Sequence, residues 1–131
     1  MITGIGVDII NVQRMSRWRQ QPGLLERYFH PDELAAALSR GGGADLSLAA
    51  RFAAKEAFGK ALGIGFEGLV LKDILVANSR SGRPEIQVFG TALTALEKSG
   101  ANRIHLSLTH ERDNAVAMVV MEDLCPQKTK N

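Results

Sequence analysis

The chain has 131 residues, enough for one domain with a core of its own and no need of disulfide staples. With 45% apolar and 23% charged residues it has the composition of an ordinary globular protein, which excludes a low-complexity or disordered chain. A net charge of +2 gives no reason to expect nucleic acid, the single Cys125 excludes an internal disulfide and suits a reducing compartment, and no apolar run is long enough to span a bilayer. With no leader-like start, the expected location is cytoplasmic, with no membrane partner.

Residues 2–10 alternate as a strand. Ile5, Val7 and Ile9 fall on one face and Gly4, Gly6 and Asp8 on the other, so Asp8 projects from a face with room for a ligand beside it. The competing reading makes Asp8 a helix cap, a job for which Asn11 is better placed, directly before a helical segment over 12–20. Arg14, Arg17, Arg19 and Arg27 crowd this early stretch, and Glu26 is its one acid after Asp8. Such a patch suits an acidic protein partner or a phosphate-bearing ligand. Pro22-Gly23 breaks the helix, 24–29 is a short amphipathic piece, and Pro31-Asp32-Glu33 opens a helix through Leu38. The Gly41-Gly42-Gly43 triplet leaves a helix rather than entering one, and reads as a linker rather than a phosphate cradle.

Residues 50–62 form the central helix, rich in Ala and Leu, free of β-branched residues and closed by Gly63 and Gly65. At about 100° per residue, Leu48, Phe52, Phe58 and Leu62 span roughly 120° of arc, with Lys55 near its middle. Arg51 lies inside the arc and Glu56 just past its edge, while the opposite side is mostly alanine and lets another backbone come close. Charges mixed with bulky apolar groups either snorkel out of a core or are held there for chemistry. A β-rich run over 69–76 then turns at 79–84 and returns through 85–89. A helix over 91–99, capped by Thr91, precedes a strand over 104–108, a turn over 109–114 and an apolar strand over 115–121. The order implies an α+β fold with one domain over 1–124 and a disordered tail over 125–131.

The chain carries no CxxC, HExxH, Walker loop or GxSxG. Two carboxylates stand out, Asp8 and Glu56, a donor pair suited to magnesium with water and phosphate; the alternative is that Glu56 pairs with Lys60 along the helix. Lys55, Arg51 and Arg83 could neutralise phosphate, although Arg83 alone reads equally as an exposed turn residue. His110 could bond a phosphate or move a proton, or be a plain surface histidine, and a Ser107/His110 nucleophile pair lacks a third, orienting group.

Taken together, these stretches resemble a known family. Ile5-Gly6-Val7-Asp8-Ile9-Ile10 with Arg14, followed by the run from Arg51 to Gly63 containing Lys55-Glu56-Ala57-Phe58-Gly59-Lys60, is similar to the signature pair of the holo-acyl-carrier-protein synthases, small 4′-phosphopantetheinyl transferases. The segment from Arg27 to Glu33, the Gly82-Arg83-Pro84 turn and the final hairpin with Ser107-Leu108-Thr109-His110 extend the resemblance across residues 2–121. It implies the 4′-phosphopantetheinyl transferase fold, an antiparallel sheet packed on a long central helix. It also implies transfer of phosphopantetheine from coenzyme A to a serine of apo acyl carrier protein, releasing adenosine 3′,5′-bisphosphate, in fatty-acid biosynthesis. The implied Mg²⁺ ligands are Asp8 and Glu56, with Lys55 on the diphosphate as a third catalytic residue. Arg51, Gly63, Arg83, Pro84 and His110 join Lys55 at coenzyme A, with Arg51 and Arg83 either on its phosphates or holding its loop. Arg14, Arg17 and Arg27 would dock the acidic carrier. A metal-bound water, Glu56 or Asp32 would serve as base. Homotrimers with shared active sites are implied, with the alanine side of the central helix and strand 115–121 as contact surfaces. The chain departs from the family pattern at Asn11 (usually Glu), Gly59 (Ser or Ala), Ile64 (Thr) and Asn114 (aromatic). Two rival functions, a non-catalytic carrier-binding module and a metal-dependent phosphate hydrolase, lack respectively a damaged carboxylate pair and a water-activating dyad.

Overall fold

The computed structural model describes residues 1–125; of the expected disordered tail, 126–131 lie outside the described residues. In chain order the elements are β1 (Ile2–Asn11), α1 (Val12–Arg19), α2 (Leu24–Tyr28), α3 (Pro31–Leu38), α4 (Ala44–Leu62), β2 (Ile74–Asn78), β3 (Pro84–Val88), α5 (Gly90–Ser99), β4 (Arg103–Glu111) and β5 (Asn114–Glu122). The fold is α+β. Asn11 caps α1, its side chain accepting the Gln13 N–H at 2.9 Å. Helix α4 begins at Ala44 rather than at residue 50, with Asp45 in its first turn, where the helix dipole favours an acid. Strands β4 and β5 run further than predicted, so only Arg112 and Asp113 form their turn, and the Asp113 carbonyl accepts the Val12 N–H at 2.7 Å.

Antiparallel strands form one sheet in the order β1-β5-β4, while β2 and β3 pair only with each other as a separate hairpin. The register sorts the larger sheet into two faces. Gly6–Val119–Leu106, Asp8–Ala117–Leu108 and Ile10–Ala115–His110 are rows on the side of α4. Ile5–Val120–His105, Val7–Met118–Ser107 and Ile9–Val116–Thr109 are rows on the outer side, which ends in the row Asn11–Asn114–Glu111.

The space expected beside Asp8 is filled. A Cβ on Gly4 or Gly6 would lie 2.0 Å from the carbonyl oxygen of Ala61 or Ala57, so the two glycines exist to admit the backbone of α4. Ala49, Ala53, Ala54 and Ala57 are fully buried. The alanine side of the helix, expected to meet another chain, therefore packs on this chain's own sheet. Helix α4 is enclosed on nearly every side, which is why its apolar residues follow no single stripe. Gly59 is enclosed for the same reason. The Ile64 and Gly65 N–H groups donate to its carbonyl at 3.2 and 3.1 Å, and a Cβ there would lie 2.0 Å from the Gly65 oxygen.

Gly6→Ala should therefore force α4 off the sheet and destabilise the protein by at least about 2 kcal/mol in urea unfolding. Gly42→Ala, with nothing within 4 Å of the added carbon, should stay within about 0.5 kcal/mol of wild type. Equal effects would mean that the close approach is not what the glycines provide.

Candidate active site

The approach of α4 to β1 decides what surrounds Asp8. Its row faces the helix, and its side chain is only 9% exposed. Glu56 and Lys60 are one helical turn apart, so both reach the same edge of α4. Lys60 donates to Asp8 Oδ1 at 2.9 Å and to the Val7 carbonyl at 3.1 Å, while its side chain stays 54% exposed. The alternative pairing of Lys60 with Glu56 along the helix is not the one adopted. Asp8 Oδ2 is buried and has no hydrogen-bond partner among the described residues.

Glu56 is half-buried and its pKa is pushed up to about 7, first by loss of water, then by the adjacent Asp8 carboxylate. The positive charges of Arg14 and Lys60 oppose that rise. Arg14 reaches the edge of this site from α1, its guanidinium 4.8 Å from the Trp18 ring centre and 5.3 Å from that of Phe52. Two carboxylates crowded together, one oxygen unsatisfied and two cations at the rim, can hold a divalent cation with part of its water shell. Among the described residues no cluster of three or more His, Cys, Asp and Glu side chains exists, so such an ion would rest on this pair.

Lys55 does not face this site. Expected on the diphosphate, it is instead fully buried, paired with Glu33 and donating to the carbonyls of Ile74 and, at 3.0 Å, Leu71. All three ammonium protons have partners inside the protein. Burial draws its pKa down, and Glu33 opposes that shift. Arg51 is buried as well, giving its Nη1 to the Val76 carbonyl at 2.5 Å and its Nε to Ser47 Oγ at 3.2 Å.

The remaining predicted residues lie in separate places. His110 and Arg51 line a cleft of about 510 Å³ with Arg40 and Ser47. His110 is on β4, at the opposite edge of the sheet from Asp8, two strand spacings across and two residues along, about 12 Å away. Arg83 and Pro84 line another cleft, of about 410 Å³, with Ser79, Arg103 and His105. Asp32 lines a third, with Glu33 and Val76. Gly63 ends α4 in the left-handed conformation, φ 78°. Arg17 and Arg27 are exposed, while Arg19 is held by Asp45 at 2.9 Å. Sequence reasoning named Lys60 only as a helix partner of Glu56 and Glu33 only as an acid in the first turn of a helix, and gave neither a place at the site. The spacing of Glu56 and Lys60, read together with the empty side of β1, is the signal that points to the first.

The sequence profile of the 4′-phosphopantetheinyl transferase superfamily matches residues 4–119. The chain belongs to that superfamily. It is 56% identical over 122 residues to the holo-[acyl-carrier-protein] synthase of Treponema denticola, covering 93% of this chain and 99% of that one. Among solved structures, the holo-[acyl-carrier-protein] synthase of Neisseria meningitidis superposes with a TM-score of 0.84 at 36% identity, covering 93% of this chain and 99% of that one. The Bacillus anthracis enzyme in complex with CoA (3′,5′-ADP) superposes with a TM-score of 0.79 at 33% identity, covering 95% of this chain and 99% of that one. The fold expected from the resemblance is thus the fold of the family.

The raised Glu56 pKa has a consequence for stability. A carboxyl that holds its proton more tightly when folded contributes stability that is full below its unfolded value, 4.5, and lost as pH rises through about 7. In chelator, stability should fall between about pH 5 and about pH 8, and Glu56→Gln should remove that part of the slope. Denaturant unfolding across the range checks this; an unchanged slope in the variant would detach the effect from Glu56.

Proposed function

We propose that Asp8 and Glu56, with Lys60 and Arg14 beside them, form the catalytic centre of a holo-[acyl-carrier-protein] synthase and hold its magnesium ion. In the reaction a serine hydroxyl of apo acyl carrier protein gives up its proton to a base at the site, and its oxygen bonds the β-phosphorus of coenzyme A. The bond from that phosphorus to the bridging oxygen breaks, adenosine 3′,5′-bisphosphate leaves, and the phosphopantetheine arm stays on the serine. One observation carries the metal assignment: a buried Asp8 oxygen lacks a partner beside a carboxyl whose pKa Asp8 itself raises. A donor set of hard oxygens suits magnesium rather than a softer ion. When bound, magnesium neutralises charge on the diphosphate.

The chain's own groups supply position and fixed charge. Lys60 is exposed enough to reach a phosphate while anchored to Asp8, the role that sequence had given to Lys55. His110 and Arg40 favour a phosphate in their cleft, whose wall Arg51 stiffens by holding β2. Arg83 and Pro84 meet the nucleotide at the hairpin turn, and Gly63 lets the chain turn close to it. Arg17 and Arg27, exposed and free of the carboxylates, dock the acidic carrier together with Arg14.

We read the working form as a cytoplasmic homotrimer of a single-domain chain, serving fatty-acid biosynthesis. Supporting the trimer, Ile5, Val7 and Ile9 are 63%, 57% and 60% exposed on the outer sheet face, and Met118 is 47% exposed. Sedimentation should give three times the 14.2 kDa chain mass, and Val7→Lys should yield single chains.

The deciding test incubates the protein with coenzyme A, Mg²⁺ and apo carrier, and weighs the carrier. A gain of one phosphopantetheine is expected, and none with Glu56→Gln although that variant stays folded; an unchanged carrier mass with wild-type protein across several carriers would refute the function. Arg17→Glu with Arg27→Glu should raise the KM for carrier about tenfold and leave that for coenzyme A within about twofold. Parallel changes in both constants would argue against docking.

A further inference from the structure

Glu33 is 1% exposed and has no part in the transfer described above. Its place in the chain explains how a carboxylate comes to be buried. It is the third residue of α3 and closes a capping box: Glu33 Oε1 accepts the His30 N–H at 2.9 Å, and His30 Nδ1 accepts the Asp32 N–H at 3.0 Å. From there the carboxylate reaches inward. Its Oε2 accepts the Val76 N–H at 3.2 Å and lies 3.9 Å from Arg51 Nη1, and Lys55 pairs with Oε1.

Both cationic partners of Glu33 grip the same piece of backbone. Lys55 donates to the carbonyls of Leu71 and Ile74, and Arg51 donates to the carbonyl of Val76. That piece leads into the hairpin of β2 and β3, which shares no ladder with the three-stranded sheet. A two-stranded hairpin is marginal alone, and its apolar contacts through Ile74 and Val76 are not directional. Hydrogen bonds from buried charges do fix direction and register. At the far end of this hairpin stand Arg83 and Pro84.

We infer that Glu33 is a positioning residue: with Lys55 and Arg51 it clamps the β2–β3 hairpin to α4, and so places Arg83 and Pro84 for the nucleotide half of coenzyme A. The assignment rests on the reading above that Arg83 and Pro84 meet that half. Glu33 touches no reacting atom.

Removing Glu33 alone strands a buried lysine, so the test uses Glu33→Gln combined with Lys55→Met, which takes the charge from both partners. The folded double variant should show a KM for coenzyme A raised about tenfold, with kcat and the KM for carrier within about twofold of wild type. Hydrogen exchange reads the clamp without turnover: amides of residues 74–88 should lose protection while those of β1 and β5 keep theirs. Equal losses across the whole chain, no loss in the hairpin, or a fall in kcat with the KM for coenzyme A unchanged would overturn the assignment. A double variant that cannot fold would make the pair a folding requirement and overturn it too. Failure of the wild-type protein to modify any carrier would count against the proposed function, while the exchange result would still report on the clamp.

Discussion

Everything in this protein depends on how closely one helix lies on one strand. Two glycines of β1 leave no side chain between sheet and helix, so the carbonyls of Ala57 and Ala61 occupy the places where Cβ atoms would be. That contact sets the height of α4 above the sheet. It also sets which residues of α4 arrive beside Asp8, the next residue on that face of β1. A wider separation of α4 from β1 would draw Glu56 away from Asp8 and weaken their mutual effect. The carboxylate pair proposed as the catalytic centre is thus a by-product of packing at its tightest point.

The protein contains two kinds of inward-facing acid, and the contrast between them is informative. Glu33 has both oxygens occupied, by backbone N–H groups and an ammonium, as a buried charge requires if it is to be tolerated. Asp8 has one oxygen satisfied by Lys60 and one left bare, next to a second carboxyl. The first arrangement is complete and holds structure together. The second is incomplete by one positive charge, and incompleteness in a buried polar group calls for an explanation that packing cannot supply.

Much of this was legible in the residues. Period-two alternation found β1, the glycines after Leu62 found the end of α4, and Asn11 announced itself as a cap. The pairing of Asp8 with Glu56 was also within reach. Reading failed where it allowed a charge within an apolar arc only two fates, snorkelling out or meeting a ligand. Helix α4 is enclosed on nearly every side, so Lys55 in the middle of an apolar arc is neither snorkelling nor facing a ligand; it is neutralised in place by a glutamate from a different helix. Nothing local to Lys55 signals that partner, because the contact is made only when α3 folds over α4. The face of β1 was misread for a related reason. Glycines beside an aspartate look like space, yet in a packed domain space is taken by whatever fits, and here it is backbone.

The register of the sheet gives one more result. Asn11 and Asn114, the two positions at which the resemblance leads one to expect a glutamate and an aromatic residue, are direct cross-strand partners at the end of the outer face. The two positions, far apart in the chain, therefore form a single local environment of two amides. Swapping either residue back toward the family pattern by itself would place a mismatched side chain opposite an amide, and the behaviour of that hybrid would describe neither this protein nor its relatives.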